Sequence, residues 1–370
     1  MQIGLGRREF LSLAAGLLVN PAVARAETIA LSLVKKWPTG NAALSPLAAD
    51  GGLIFYSGDT SAGAIAVAGD VSGWVLPPNS GMAFQFRPRA SGKSVVFSGQ
   101  RGLICCEAAT GKVAWSWTPR IQAGVPLVTG GQLFLGDGHE IVALGLADGR
   151  EQWRHAGVPD TLANYAPAHS GNTVLAAPGD GRLYALDASS GTLLWQLDGR
   201  ERWQYLRQLR TEGGILVAGS YKEKLFGIAV EDGREMWSFN AGNFINSHHV
   251  DDGSAYLWSP TGFIYAIDVK SGARRWRHET TDYDHNSRNW GPLMAELVTE
   301  EGRLLCLDMF NMLHVLDTRD GTAIVHAGVP GNIRHAVLPL TSGALAFPSQ
   351  DGEVIVTAGI GSVSPSASSD

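Results

Sequence analysis

The sequence predicts an all-β fold, an eight-bladed β-propeller of four-stranded antiparallel blades, on three observations. One motif recurs eight times, seven of its copies carry a glycine-containing hairpin turn, and five end in tryptophan. The full copies are LICCEAATGKVAW (103–115), IVALGLADGREQW (141–153), LYALDASSGTLLW (183–195), LFGIAVEDGREMW (225–237) and IYAIDVKSGARRW (264–276). LHVLDTRDGTAIV (313–325) has Val in place of Trp, IAVAGDVSGWVLP (65–77) matches more loosely, and GEVIVTAG (352–359) is the first half of one more. The copies start at 65, 103, 141, 183, 225, 264, 313 and 354, in steps of 38, 38, 42, 42, 39, 49 and 41 residues. Short strands repeated at this period, with no helical periodicity, read as propeller blades arranged radially.

In chain order, the first element is a targeting segment over residues 1–26. Arg7-Arg8-Glu9-Phe10-Leu11, an apolar run to Val23 and the ending Ala24-Arg25-Ala26 are similar to a twin-arginine signal, the export route for proteins folded before translocation; a plain secretory signal is the other reading. Both lead out of the cytoplasm, to the periplasm or beyond. No Cys follows the expected cleavage point, so no lipid anchor is expected, and no later apolar run is long enough to span a bilayer. The exported chain is expected to be water-soluble. Cleavage after Ala26 removes Arg7, Arg8, Arg25 and Glu9 and moves the formal charge from −6 to −8. An acidic chain is a poor partner for nucleic acid. Three Cys in the whole sequence are too few for a disulfide scaffold, so stability rests on an apolar core.

Residues 27–360 form the propeller. TIALSLVKKW (28–37) ends in Trp37 but begins no unit, whereas the eighth copy lacks its closing strand. The N-terminal stretch is therefore expected to supply the outer strand of the last blade, pairing near 354–359 and covering an open edge. In each copy the alternating apolar run and the residues after the turn make a hairpin, because Gly supplies the positive φ that the turn requires. Two shorter β-runs upstream, such as GGQLFLGDG (130–138) and GGILVAGS (213–220), complete four strands, and no helix is expected. Trp115, Trp153, Trp195, Trp237 and Trp276 all fall four residues after the turn Gly, which assigns them to wedging between neighbouring sheets. The Ser-rich tail over 361–370 is expected to be disordered.

The A-L-D-x-x-S/T-G-x-x-x-W unit resembles the repeat of PQQ-like, quinoprotein-type propellers, a family that holds both PQQ- and calcium-dependent alcohol dehydrogenases and cofactor-free BamB-like scaffolds. The resemblance implies the fold and leaves the activity open. Against the dehydrogenase outline W-x-x-x-T-T-…-N-W-D, Trp276, Thr280, Thr281, Asn289 and Trp290 match, but Gly291 stands at the position of the catalytic or calcium-binding Asp. Met309 stands where the family places a cation against the quinone. Cys105-Cys106 has the look of the family's adjacent disulfide, yet it lies within a regular strand, where neighbouring side chains point to opposite faces and the ring cannot close.

The segment TTDYDHNSRNWGP (280–292) nonetheless concentrates polar groups in an apolar chain. It follows Trp276 and so enters the inner strand of the next blade. Nine to thirteen residues past each Trp position lie Asn164 and Tyr165, Tyr205 and Arg207, Asn246 and His248, and Arg334 and His335. With Asp282, Asp284, His285, Asn286, Arg288, Asn289 and Trp290 these are expected to converge on one mouth of the central channel, as a recognition surface or as an ordinary wet lining. Asp282-x-Asp284-x-Asn286 is similar to the first half of a calcium loop, but Ser287 and Leu293 stand where such loops need Gly and Glu. His248-His249 is not a zinc motif, since adjacent strand residues face opposite ways. Two functions follow. The first is an exported, non-catalytic propeller holding an envelope protein partner or a small ligand at its channel mouth, with no cofactor. The second is a divergent PQQ- and calcium-dependent oxidoreductase of the alcohol dehydrogenase type.

Overall fold

Within each repeat the apolar run and the residues after the glycine turn form the third and fourth strands of an antiparallel sheet, and the two upstream runs form the first and second. The computed structural model describes residues 26–362 apart from 68–71, 77–82, 160, 221, 243–244, 246, 260, 281–295, 309 and 334–335. Eight sheets follow one another around a ring. Their inner strands are Ala48–Asp50, Arg89–Ser91, Leu127–Thr129, Ala168–Ser170, Leu206–Glu212, His248–Asp251, Leu297–Glu300 and Leu338–Pro339, which define blades 1 to 8. The second and third strands of each blade are buried on both faces, as in Leu53–Ser57 and Ile215–Ser220, because each sheet is sandwiched between two others. The outer strands alternate instead, as in Leu193–Asp198. Hydrophobic clusters accordingly lie between blades: one joins Leu175, Leu183 and Ala185 of blade 4 to Leu216, Phe226 and Ile228 of blade 5.

The repeat motif has a local explanation. In blade 4, Asp187 Oδ1 accepts the backbone N–H of Ser189 at 3.0 Å and of Ser190 at 2.9 Å, which pins the turn after the third strand. Gly191 then takes a left-handed conformation, φ 70°, with its N–H on the Asp187 carbonyl at 2.8 Å. Its missing side chain has a second use: a Cβ there would stand 2.6 Å from the indole of Trp153, the closing residue of blade 3. That indole Nε1 donates to the Ala188 carbonyl at 2.8 Å. The same donation runs from Trp115 to Leu146, Trp195 to Val230, Trp237 to Val269 and Trp276 to Thr318, so the tryptophans are wedges between blades as expected. Trp74, in the loosely matching first copy, does the same to Ala108.

At the seam between blades 7 and 8 the motif offers Val325 in place of Trp, and the N-terminus covers that seam. Leu33–Pro38 pairs antiparallel with Glu353–Thr357, with Trp37 opposite Val354, and closes the ring as the outer strand of blade 8. Residues 28–30 do not belong to that strand, contrary to the expectation for 28–37. Glu27–Ala30 instead adds a fifth, parallel strand to blade 7, with Glu27 opposite Val325. Between the two strands, Leu31 is buried with Val325, Val329, Ile333 and Ile355 in one cluster. The N-terminal segment thus straps two blades together at the position where the wedging indole is missing.

Ile360–Ser362 forms a single turn of 3-10 helix at the end of the ring; residues 363–370 of the tail lie outside the described residues, as does the targeting segment up to residue 25. Cys105 and Cys106 are free and buried on opposite faces of the strand Gly102–Glu107, Cys105 toward blade 3 and Cys106 toward blade 1. Burial pushes both thiols up, to about 11 and about 12.

Candidate channel site

All inner strands run the same way along the channel, so the segments that lead into them open on one mouth. Of the expected mouth residues, Asn164, Tyr165, Tyr205, Arg207 and His248 are described. Asp282, Asp284, His285, Asn286, Arg288, Asn289, Trp290, Asn246, Arg334 and His335 lie outside the described residues, as do Gly291 and Met309. The weak calcium candidates Asp282, Asp284 and Asn286 are among those outside the described residues. Among the described residues no three His, Cys, Asp or Glu side chains are placed to share a metal ion.

Asn164 and Tyr165 are exposed in the 156–167 connection, and Asn164 ties it to the preceding connection, 118–126. Its Oδ1 accepts Gln122 Nε2 at 3.2 Å and its carbonyl accepts the Val125 N–H at 3.0 Å. On these two joined loops Ile121 is 59% exposed and Leu162 40% exposed, beside exposed Tyr165. Tyr205 and Arg207 sit one blade further on, with the guanidinium carbon 5.6 Å from the ring centroid and Arg207 Nη2 donating to the Tyr205 hydroxyl at 3.3 Å. The segment that holds 282–290 has a fixed start: Thr280 is buried, and both its N–H and its hydroxyl donate to the Gly262 carbonyl, at 2.9 and 2.8 Å.

His248 is placed differently from its neighbours. Its ring is buried, Nε2 donates to the Val217 carbonyl of blade 5 at 3.1 Å, and Nδ1 has no partner. Burial first, and then Arg210, push its pKa down to about 3. His249 turns the other way and bonds Thr299 Oγ1 of blade 7 at 2.9 Å, so the pair does face opposite sides of the strand. His248 is therefore a neutral interior group behind the channel wall rather than a free ligand.

The inner strands and the residues just before them line a cavity of about 710 Å³. Arg87, Arg89, Arg210 and Glu296 face into it, with His169 and His249. Arg87 Nη2 donates to both carboxylate oxygens of Glu296. Arg89 Nε donates to the Pro126 carbonyl at 3.2 Å, and Arg210 Nη1 to that of Leu209 at 3.0 Å. Burial and the nearby Arg87 and Arg210 push Arg89 down to about 10, and burial also lowers Arg210, against the pull of Glu296. Arg210 is exposed to solvent inside the channel while protein surrounds it, which is how a water-filled cavity leaves a charge both wet and poorly screened. Sequence reasoning missed Arg89 and Arg210 because both lie beyond the window of nine to thirteen residues past a Trp, further along their inner strands. Arg87 is thirteen past Trp74 and was within reach, but the first copy matches too loosely for Trp74 to serve as a marker.

The comparisons agree with this architecture. The family model described as outer membrane protein assembly factor BamB matches residues 59–277 and 260–363. The outer membrane protein assembly factor BamB of Yersinia pestis is 28% identical over 131 residues, 33% of each chain. The match to that of Nitrosomonas eutropha is 28% over 169 residues, 44% of this chain and 40% of the relative. The chain thus spans less than half the length of these curated relatives. Among solved structures, BamB from Moraxella catarrhalis superposes with a TM-score of 0.67 at 19% identity, covering 90% of this chain and 99% of that one. The quinohemoprotein alcohol dehydrogenase ADHIIG from Pseudomonas putida HK5 also reaches 0.67, at 12% identity over 92% of this chain and 78% of the other, so likeness of structure shows the fold and does not separate scaffold from enzyme. The family model covers almost the whole ring, and the chain belongs to the family of the outer membrane protein assembly factor BamB.

Proposed function

We propose that this chain is a non-catalytic periplasmic propeller that holds an envelope protein, a component of outer membrane assembly, at its channel mouth. Family membership carries the reading, and the mouth supplies a surface suited to it. Ile121, Leu162 and Tyr165 are exposed on two loops that hydrogen bonds lock together, and apolar and aromatic groups on a rigid support are what a partner's hot spot packs against. Tyr205 and Arg207 extend that surface around the mouth, and export by the twin-arginine route delivers the ring already closed. The dehydrogenase alternative needs a base and a cation or metal at the quinone. Gly291 and Met309 stand at two of the positions concerned, and Cys105 and Cys106 face away from each other.

The test is co-purification of the outer membrane assembly machinery with the tagged chain from its native envelope, compared with an Ile121→Asp/Leu162→Asp variant. Recovery is expected with the native surface and not with the variant, while both melt alike. Dye reduction by an alcohol in the presence of PQQ and calcium, with stoichiometric PQQ bound, would replace this reading with the enzymatic one.

A further inference from the structure

We propose that the channel cavity binds a small oxyanion, a phosphate or a di- or tricarboxylate, on Arg210 and Arg89. Among the described residues three guanidinium groups line the cavity against one carboxylate, in a chain whose overall charge is −6. That carboxylate, Glu296, is already held by Arg87. Arg89 and Arg210 come from the inner strands of blades 2 and 5, and neither forms an ion pair among the described residues. Each donates to one backbone carbonyl, which leaves most of its N–H groups for a ligand. The histidines do not compete as cations: burial lowers both His169 and His249, and each has a fixed place, His169 stacked on Phe134 and His249 bonded to Thr299.

Like charges gathered in a confined cavity repel, and an anion relieves that repulsion while it fills the forked donors. A guanidinium matches the two oxygens of a carboxylate or phosphate in one plane, which an ammonium does not. The cavity volume falls within the range of about 300–1,000 Å³ usual for small-molecule sites. Glu296 sets the lower limit on ligand charge, because a neutral molecule would leave the unpaired guanidinium groups as they were.

Titration calorimetry of the full exported chain with inorganic phosphate, and separately with citrate, tests this. Saturable binding of at least one is expected; phosphate alone identifies a phosphate site, and citrate alone a polycarboxylate site. Arg210→Gln is expected to weaken it at least tenfold, Arg210→Lys several-fold because charge remains and the fork is lost, and Arg319→Gln, at an exposed turn, not at all. Should Arg210→Gln fail to fold, Arg210→Lys carries the comparison. No saturable binding of either anion, or binding unchanged by substitution of Arg210 and of Arg89, overturns the proposal.

Discussion

Arg87 and Glu296 are 209 residues apart in the chain, and one guanidinium nitrogen of the first holds both oxygens of the second across the channel, between blades 2 and 7. The two partners are not equivalent. Glu296 also opposes the charges of Arg89 and Arg210, so Glu296→Gln leaves three cations facing one another, whereas Arg87→Met leaves a carboxylate beside two. Both side chains are partly accessible, and either loss is expected to cost about 1–3 kcal/mol. Glu296→Gln should be the more damaging, and the gap should narrow as salt is raised. Urea denaturation at two ionic strengths decides it; equal losses at low salt would show that the three arginines do not sense one another.

The wedge of Trp153 on Gly191 predicts a pair of effects at one seam. Trp153→Ala should cost about 3–5 kcal/mol, as for other truncated buried aromatics. Gly191→Ala should be destabilising too, through both its positive φ and the clash with the indole. A Gly191→Ala/Trp153→Ala double variant should lose less than the two single losses combined, because the clash vanishes with the ring. Full additivity in chemical denaturation would mean that the contact is not shared.

Deletions at the N-terminus should act in two steps. Removing residues 27–31 takes away the parallel strand on blade 7 and buried Leu31; removing 27–38 also opens blade 8. The midpoint of thermal unfolding is expected to fall with the first and further with the second. If the shorter deletion melts like the full ring, the parallel strand contributes nothing to the seam without Trp.

His248 makes stability depend on pH in a defined direction. The unfolded chain takes up its proton near the ordinary value of 6.5, the folded chain only near 3. Between these values the unfolded state holds the extra proton, so the contribution is complete above about 6.5 and declines as pH falls toward 3, by up to ~1.4 kcal/mol per pH unit. His249 and His278, also lowered by burial, add in the same sense. His248→Gln, which keeps a donor for the Val217 carbonyl, should flatten the fall in melting temperature between pH 6.5 and 4.5.

The fold was legible because the repeat encodes one contact that recurs at six seams of the described ring. An Asp that pins a turn, a Gly that admits an indole and a Trp four residues later describe a blade and its seam together. The copy at 65–77 shows the limit: Trp74 makes the same hydrogen bond without the motif's spacing, so its role is visible only in space. The split of the N-terminal stretch was hidden for a related reason. Nothing local in TIALSLVKKW marks Leu31 as the point where one blade is left and the next entered; the partner strands lie about 300 residues downstream. The charged cavity was not legible, because Arg89, Arg210 and Glu296 come from three distant blades and converge only when the ring closes.

The N-terminal strap fixes an order of events. The N-terminal segment, the first part of the propeller to leave the ribosome, pairs its strands Glu27–Ala30 and Leu33–Pro38 with Ala323–Gly328 and Glu353–Thr357, which are among the last to be made. Until then its edges have nothing to pair with, and blades 1 to 6 can stack on one another only as an open arc. Closure is therefore a post-synthetic step that reports on the whole chain at once: a product truncated anywhere before residue 357 leaves a loose N-terminal strand and an exposed seam for proteases to find. The strap acts as the molecule's own proof of completeness.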